Sequence, residues 1–276
     1  MNEINIFMCC HKGYELIPPL CRPVQCGASL NPPVKGAVPD NTGDNISEKN
    51  REYCELTAHY FAWKNLKADY YGFCHYRRLF CGDERVKKPY LALKALPKSR
   101  LLGDESFWKK LIPQYDIIIP RAEDMGLPCR EHYCTAKYHY AEDLELFLRI
   151  LGEKAPELSE TAESYLGQNR QYFCNMFIMS REYFFRYCEM LFPTLEEFDR
   201  RKNLHGDFQS DRTDGYLGEL FTGIYTTYCK GQGARIKELP RLDICCSRKK
   251  RLSCALLPPE SRRRFIAKKL VKKIRG

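Results

Sequence analysis

The sequence predicts an α/β fold, a mostly parallel or mixed sheet flanked by helices. Three observations carry this. Short apolar runs at 4–10, 70–74, 116–120 and 173–179 read as buried strands. Segments of helical period lie between and after them, at 53–65, 142–151, 156–166, 181–191 and 216–228. Their alternation is the pattern of a layered α/β domain.

The first strand, 4–10, runs into His11-Lys12-Gly13. Residues 17–45 are rich in Pro, Gly and Asn and are expected to be loop. The next helix has its body at 53–65, with Tyr53, Leu56, Tyr60 and Trp63 spaced three or four apart on an apolar face. The second strand, 70–74, runs into His75-Tyr-Arg-Arg78, and 81–104 are basic and irregular. The strand at 116–120 is followed by two helices, the fourth strand and the helix at 181–191. The helix at 216–228 stops at Gly231-Gln-Gly233, and 234–239 is a last short strand. There are no internal repeats.

Of 276 residues, 44% are hydrophobic and 29% charged, as in an ordinary globular protein. No apolar run reaches the roughly 18 residues of a membrane span, and the first residues carry no basic n-region, so neither an integral membrane protein nor a cleaved signal peptide is expected. The net charge of +10 divides sharply: residues 247–276 hold twelve Lys/Arg and one acid, Glu260, while the other 246 hold 33 basic and 34 acidic side chains. The expected organisation is a neutral body, 1–246, and a basic tail, 247–276. An enzyme of nucleic acid spreads positive charge over a face of its fold, so nucleic acid is not an expected partner. Within 261–275, Ile266, Leu270 and Ile274 fall on one side, Phe265 and Val271 at its margins, and Arg264, Lys268, Lys269 and Lys272 opposite. That is a basic amphipathic helix of the kind that lies on an anionic membrane surface; a solvated helix or a disordered tail would share the pattern. Fifteen dispersed cysteines without Cys-x-x-Cys spacing read as small buried hydrophobes in a reducing cytosol rather than zinc ligands or disulfides.

Three segments are denser in polar residues than packing requires. Asp40-Asn-Thr-Gly-Asp-Asn-Ile-Ser-Glu-Lys-Asn50 either converges on a ligand or caps the helix after it, through Asn45 or Ser47. His75-Tyr-Arg-Arg78 ends a strand, where open α/β sheets bind ligands. Its two arginines either grip a phosphate or divide between a core carboxylate and solvent. In Asp211-Arg-Thr-Asp-Gly-Tyr-Leu-Gly-Glu219, Asp214 caps a helix and Glu219 is either a general base or an exposed helical glutamate. Tyr133, Tyr138 and Tyr140, around His132 and His139, either stack on a sugar ring or pack in the core.

These residues resemble a bacterial family of capsular and exopolysaccharide biosynthesis proteins, long catalogued as a domain of unknown function, whose members look like GT-A-type glycosyltransferases, some of them galactofuranosyltransferases. The resemblance rests on His11-Lys12, the 40–50 segment, Tyr53-Cys-Glu-Leu-Thr57, Trp63-Lys-Asn65, Gly72-Phe-Cys-His-Tyr-Arg-Arg78, His139 ahead of Asp143-Leu144, Asn175-Met-Phe-Ile-Met179, Arg212, Gly215 and Glu219, within residues 4–225. Asp214 departs from the family pattern.

The resemblance implies a GT-A-like, Rossmann-like mixed sheet that transfers galactofuranose or another hexose from a nucleotide-diphosphate sugar, UDP-linked by preference, to a growing capsule, O-antigen or exopolysaccharide glycan, with inversion. It implies donor contacts from His11, Thr42, Gly43, Asp44, Asn45, His75, Arg77, Arg78, Asn175, Met176 and Arg212. Tyr138 and His139 would contact the acceptor and Glu219 would be the base, with Asp207 or Asp211 next in line. GT-A enzymes commonly hold a divalent metal with Asp-x-Asp, and this chain has none. Arg77 and Arg78, with His75, are therefore expected to neutralise the diphosphate directly, without a metal cofactor. A polyprenyl-diphosphate acceptor at the cytoplasmic leaflet would suit the basic tail and place the protein peripherally on the inner face of the plasma membrane. A non-catalytic carbohydrate-binding or scaffold subunit is the alternative.

Overall fold

The apolar run that opens the chain is buried on both faces, which places it inside the sheet. The computed structural model describes residues 2–84, 86, 98–203, 206, 212–244, 256–257 and 266–267. In order, its elements are β1 (Ile4–Cys10), β2 (Cys21–Gln25), β3 (Val38–Pro39), α1 (Asn50–Tyr53), α2 (Leu56–Asn65), β4 (Tyr70–His75) and β5 (Arg78–Phe80). Then come α3 (Lys98–Leu102), α4 (Glu105–Leu111), β6 (Ile117–Pro120), β7 (Glu123–Asp124), α5 (Cys129–Thr135), α6 (Ala141–Lys154), α7 (Ser159–Gly167) and β8 (Arg170–Gln171). The last are β9 (Phe177–Ser180), α8 (Arg181–Arg201), α9 (Thr213–Gly231), β10 (Ile236–Leu239) and β11 (Arg241–Asp243).

The main sheet is mixed and runs β10-β6-β9-β4-β1-β2-β3, with β5 pairing β4 and β11 pairing β5. Strands β1 to β4 are mutually parallel where they pair, and β9 runs antiparallel between β4 and β6. Alternation along β1 divides the core. Phe7 and Cys9 join Tyr71, Phe73 and Phe177 under α2 and α6 to α9, while Ile6, Met8 and Cys10 join Cys74, Ile178 and Trp108 on the opposite face. His59 belongs to the first layer, its ring 4.0 Å from that of Phe73, and burial pushes its pKa down to about 3. The twelve described cysteines are free thiols, and nine of them are buried.

The structure departs from the sequence expectation at five places, one of them α3 (Lys98–Leu102) within the segment 81–104 expected to be irregular. Residues 17–45 contain β2 and β3. Proline 23 disguised β2, but pairing with β3 begins only at Val24, so Pro23 sits where the strand is still an edge. The expected helix at 53–65 is split at Cys54, whose φ of 53° interrupts it. The expected strand at 173–179 begins only at Phe177, because Cys174 and Asn175 take left-handed φ values of 85° and 44°. Helix α8 continues through Pro193 to Arg201. The basic segment 247–276, with its expected helix at 261–275, lies outside the described residues apart from 256–257 and 266–267.

The packing of α9 on α7 depends on Gly223. A Cβ there would lie 2.1 Å from the hydroxyl of Tyr165, a buried ring whose hydroxyl accepts the Tyr172 N–H at 2.9 Å. A Gly223→Ala substitution would gain about 1 kcal/mol in helix propensity but would displace that ring. We expect a net loss of about 1–2 kcal/mol in urea unfolding, and a midpoint at or above wild type would contradict this packing.

Candidate active site

A cleft of about 510 Å³ opens at the C-terminal ends of β1, β2 and β4, the edge of a parallel sheet where ligands bind. Its walls are His11 after β1, Cys26 after β2, the α1–α2 junction with Asn50, Arg51, Cys54 and Glu55, the β4–β5 hairpin with His75 and Arg77, and Arg212 ahead of α9. Three guanidiniums, those of Arg51, Arg77 and Arg212, face one carboxylate, that of Glu55, which leaves a charge of +2. None of the three arginines forms an ion pair among the described residues. Burial, and then Arg78 and Arg77, push the His75 pKa down to about 3. Burial, Lys12, Arg77 and Arg212 lower that of His11. Both imidazoles are therefore neutral at pH 7 and neither adds to nor offsets the charge.

The arginines are held from one side only. The Arg212 Nε donates to Cys54 Sγ at 3.2 Å, and its guanidinium lies 5.9 Å from the Tyr216 ring. Burial pushes the Cys54 thiol up to about 12, so it stays a neutral acceptor. The Arg77 guanidinium lies 5.0 Å from the ring of Tyr76, which is buried.

His75-Tyr-Arg-Arg78 is a tight hairpin in which His75 pairs with Arg78 across β4 and β5. This separates the two arginines expected to act together. Arg77, in the turn, lines the cleft, whereas Arg78 is in β5 and faces Cys174, Glu219 and Glu55 behind it. The sequence shows two adjacent arginines but not the turn between them.

The 40–50 segment is a scaffold for this wall. The carboxylate of Asp40 is fully buried and accepts from Gly27 N (2.9 Å), Ala28 N (2.9 Å), Ser47 Oγ (2.5 Å) and Thr57 Oγ1 (2.6 Å). Thr42, Gly43 and Asp44 are exposed and are not brought to the cleft. Asn65 holds their loop, accepting Asp44 N at 3.0 Å and donating to Asp44 O at 2.7 Å. Asn45 accepts Ser47 N at 3.2 Å in a local turn, while the helical turn that follows has Ile46 at its N-cap and no side-chain cap. What the segment brings to the cleft is Asn50, with Arg51 just after it.

Asn175 is also structural. It is buried, donating to Glu55 Oε1 (3.1 Å) and Gly215 O (3.2 Å) and accepting from Thr222 Oγ1 (3.3 Å). Met176 is packed in the core. Glu219 lies behind the cleft wall and accepts Cys174 N at 2.9 Å; crowding by protein atoms, and then Glu55, push its pKa up to about 7 against the pull of Arg78. Asp214 does not cap the helix as expected: α9 starts at Thr213 with Arg212 at its N-cap and no side-chain cap, and Asp214, inside the first turn, is buried against Lys202, which also pairs with Asp199 at 2.6 Å. Asp207 and Asp211 lie outside the described residues. His139 stacks between Tyr133 (4.4 Å) and Tyr216 (4.2 Å), and Tyr138 precedes it in a left-handed conformation, so this aromatic patch adjoins Arg212 through Tyr216 without lining the cleft. A second groove, of about 520 Å³, shares His11 with the first and continues along Lys12, Tyr14 and Lys35.

Glu55 and Arg51 are charged wall residues that sequence reasoning left without a role. The only signal for Glu55 was its place in Tyr53-Cys-Glu-Leu-Thr57, off the apolar face of the helix. Among the described residues no group of three or more His, Cys, Asp and Glu could hold a metal ion. The end of β4 presents arginine where a divalent cation needs carboxylate, so the residues present do not fit one.

The profile of DUF4422, a domain of unknown function, matches residues 5–230. The apo structure of the WbbM bifunctional glycosyltransferase superposes with a TM-score of 0.80 at 28% identity, covering 89% of this chain and 46% of that one. The chain thus spans about half the length of that protein and shares its GT-A-like mixed sheet. No curated protein matches it.

Removing the Asp40 carboxylate leaves two backbone N–H groups and two hydroxyls without their acceptor. Asp40→Ala should cost about 3–5 kcal/mol in chemical denaturation, far more than Asp44→Ala, whose exposed side chain should change stability by less than about 1 kcal/mol. Equal losses for the two would contradict the scaffold assignment.

Proposed function

The chain belongs to the DUF4422 family, and on that footing we propose that it is a glycosyltransferase of bacterial polysaccharide biosynthesis, taking a sugar from a nucleotide-diphosphate donor to an acceptor hydroxyl. One observation carries this reading: a cleft at the sheet's C-terminal edge whose described lining residues leave a surplus of two positive charges. A diphosphate supplies the balancing anion. Guanidiniums bind phosphate oxygens through paired, charge-assisted hydrogen bonds. Arg77 and Arg212 grip the diphosphate and stabilise the charge that grows on it as the glycosidic bond breaks, with Arg51 at the rim. His11 and His75, neutral, supply uncharged ring nitrogens. The groove beyond His11 is open to the rest of the nucleotide. The likeness to the WbbM glycosyltransferase supports the reading.

The finer assignments follow from family resemblance and chemistry. The donor is a UDP-sugar, with galactofuranose as the leading candidate, and the course is inverting. The arginines replace the divalent metal of Asp-x-Asp enzymes. The aromatic patch at Tyr138, His139 and Tyr216, which reaches the cleft through Arg212, is the proposed acceptor contact. The acceptor is a glycan on a polyprenyl-diphosphate carrier, and the basic segment 261–275 holds the protein at the cytoplasmic face of the membrane, each basic side chain contributing about 1 kcal/mol near an anionic surface.

A thermal-shift screen over nucleotide sugars tests the donor, since a ligand bound only by the native state raises its melting temperature. Arg77→Ala and Arg212→Ala should each weaken the stabilising nucleotide sugar about 10- to 100-fold in calorimetric titration, the loss of a charge-assisted contact. Unchanged affinity in both variants would remove the diphosphate from this cleft.

Deleting 258–276 should move the protein from the membrane pellet to the supernatant while transfer to a water-soluble acceptor persists. A truncated form that still pellets would count against the membrane role.

A further inference from the structure

We infer that Glu55 is the catalytic base of the transfer and that Glu219, behind it, is a positioning residue that holds the backbone beside Asn175 and so keeps Glu55 correctly placed. The inference rests on the proposed glycosyl transfer and names the group that takes the acceptor's proton.

Glu55 is the one carboxylate among the described residues that line the cleft, and it shares the wall with Arg77 and Arg212. It stands immediately before the first turn of α2, at the helix N-cap, where the helix dipole favours a negative charge. The Asn175 amide fixes Oε1 at 3.1 Å, and no described protein group donates to Oε2. One oxygen anchors the carboxylate and the other is left to accept a proton. Asn175 does this from a left-handed backbone conformation that is costly outside glycine, and Gly215 and Thr222 hold it there.

Glu219 has a different position. It does not line the cleft, and its Oε1 is occupied by the N–H of Cys174, the residue before Asn175. The groups facing it are Cys54 and Glu55 from the α1–α2 junction, Arg78 from β5, Arg241 from β11, Cys174 from the β9 approach, Tyr165 from α7 and Tyr216 from its own helix. Burial and the neighbouring Glu55 charge leave it protonated up to about pH 7. A neutral Glu219 does not compete for the acceptor's proton and adds no second negative charge beside the diphosphate.

In the step itself, the acceptor oxygen attacks the anomeric carbon from the face opposite the diphosphate. The bond between that carbon and the phosphate oxygen breaks, and its electron pair leaves on the nucleoside diphosphate held by Arg77 and Arg212. The acceptor's proton passes to Glu55 Oε2 and is later lost to water.

The test measures donor binding by calorimetry and transfer by product formation, across pH 5.5–9, in wild type, Glu55→Gln, Glu55→Asp and Glu219→Gln. Glu55→Gln keeps the Asn175 acceptor and should bind donor within about threefold of wild type while losing transfer by about 100-fold or more. Glu55→Asp, shorter but charged, should recover part of that rate. Glu219→Gln should retain transfer within about tenfold and lose the inflection expected of wild type near pH 7. Wild-type transfer rates in Glu55→Gln, or a pH profile unchanged in Glu219→Gln, would overturn the assignment while leaving the transferase reading intact. Absence of both binding and transfer in the wild-type protein would bring down that reading together with this one.

Discussion

Positive charge that the described residues do not neutralise is the constraint on which the site depends. Arg51, Arg77 and Arg212 converge on a cleft that holds one carboxylate and two imidazoles kept uncharged by burial and by the arginines themselves. Several partly buried charges elsewhere are paired among the described residues. Arg241 binds Glu123 at 2.5 Å, and Lys202 binds both Asp199 and Asp214. The cleft lies at the C-terminal edge of β1 and β4, where the geometry of an open sheet already favours a ligand. An arrangement that is unfavourable in the empty protein becomes favourable with a phosphate anion in place, and this links stability to function.

Two buried polar side chains connect the fold to that charge. Asp40 gathers the turn after β2, Ser47 and Thr57 around one carboxylate and so sets the α1–α2 junction that carries Arg51 and Glu55. Asn175, at the antiparallel strand in the middle of the sheet, ties Glu55 to the first turn of α9, next to Arg212. Both satisfy every demand of a buried polar network, in which a missing partner costs more than a formed bond contributes. The cleft is thus assembled from loops that are individually weak but pinned at two points.

Much of this was legible in the amino-acid order. Strands β1, β4 and β6 and helices α6 and α9 carry clear apolar periods, and His11, His75, Arg77 and Arg212 stand at strand and helix ends where a sheet presents its ligands. Other features were hidden for physical reasons. Proline 23 masked β2, although an edge position tolerates it. The apolar letters of 173–176 read as strand because left-handed backbone at Cys174 and Asn175 leaves no mark in composition. Arg77 and Arg78 read as a pair because the hairpin that parts them is not written in the residues alone. The polar 40–50 segment read as a binding loop because a buried scaffold of Asp, Ser and Thr uses the same residue types as a ligand site. Glu55 went unseen because its role depends on a break at Cys54 in what looks like one continuous helix.

The most direct measurement of the central claim is a calorimetric titration of UDP and UMP into the protein in EDTA, repeated with manganese and at rising salt. If unbalanced guanidiniums hold the diphosphate, UDP binds in EDTA, binds more tightly than UMP, weakens as salt rises and is indifferent to manganese. Binding of UDP that appears only when manganese is added would contradict the account.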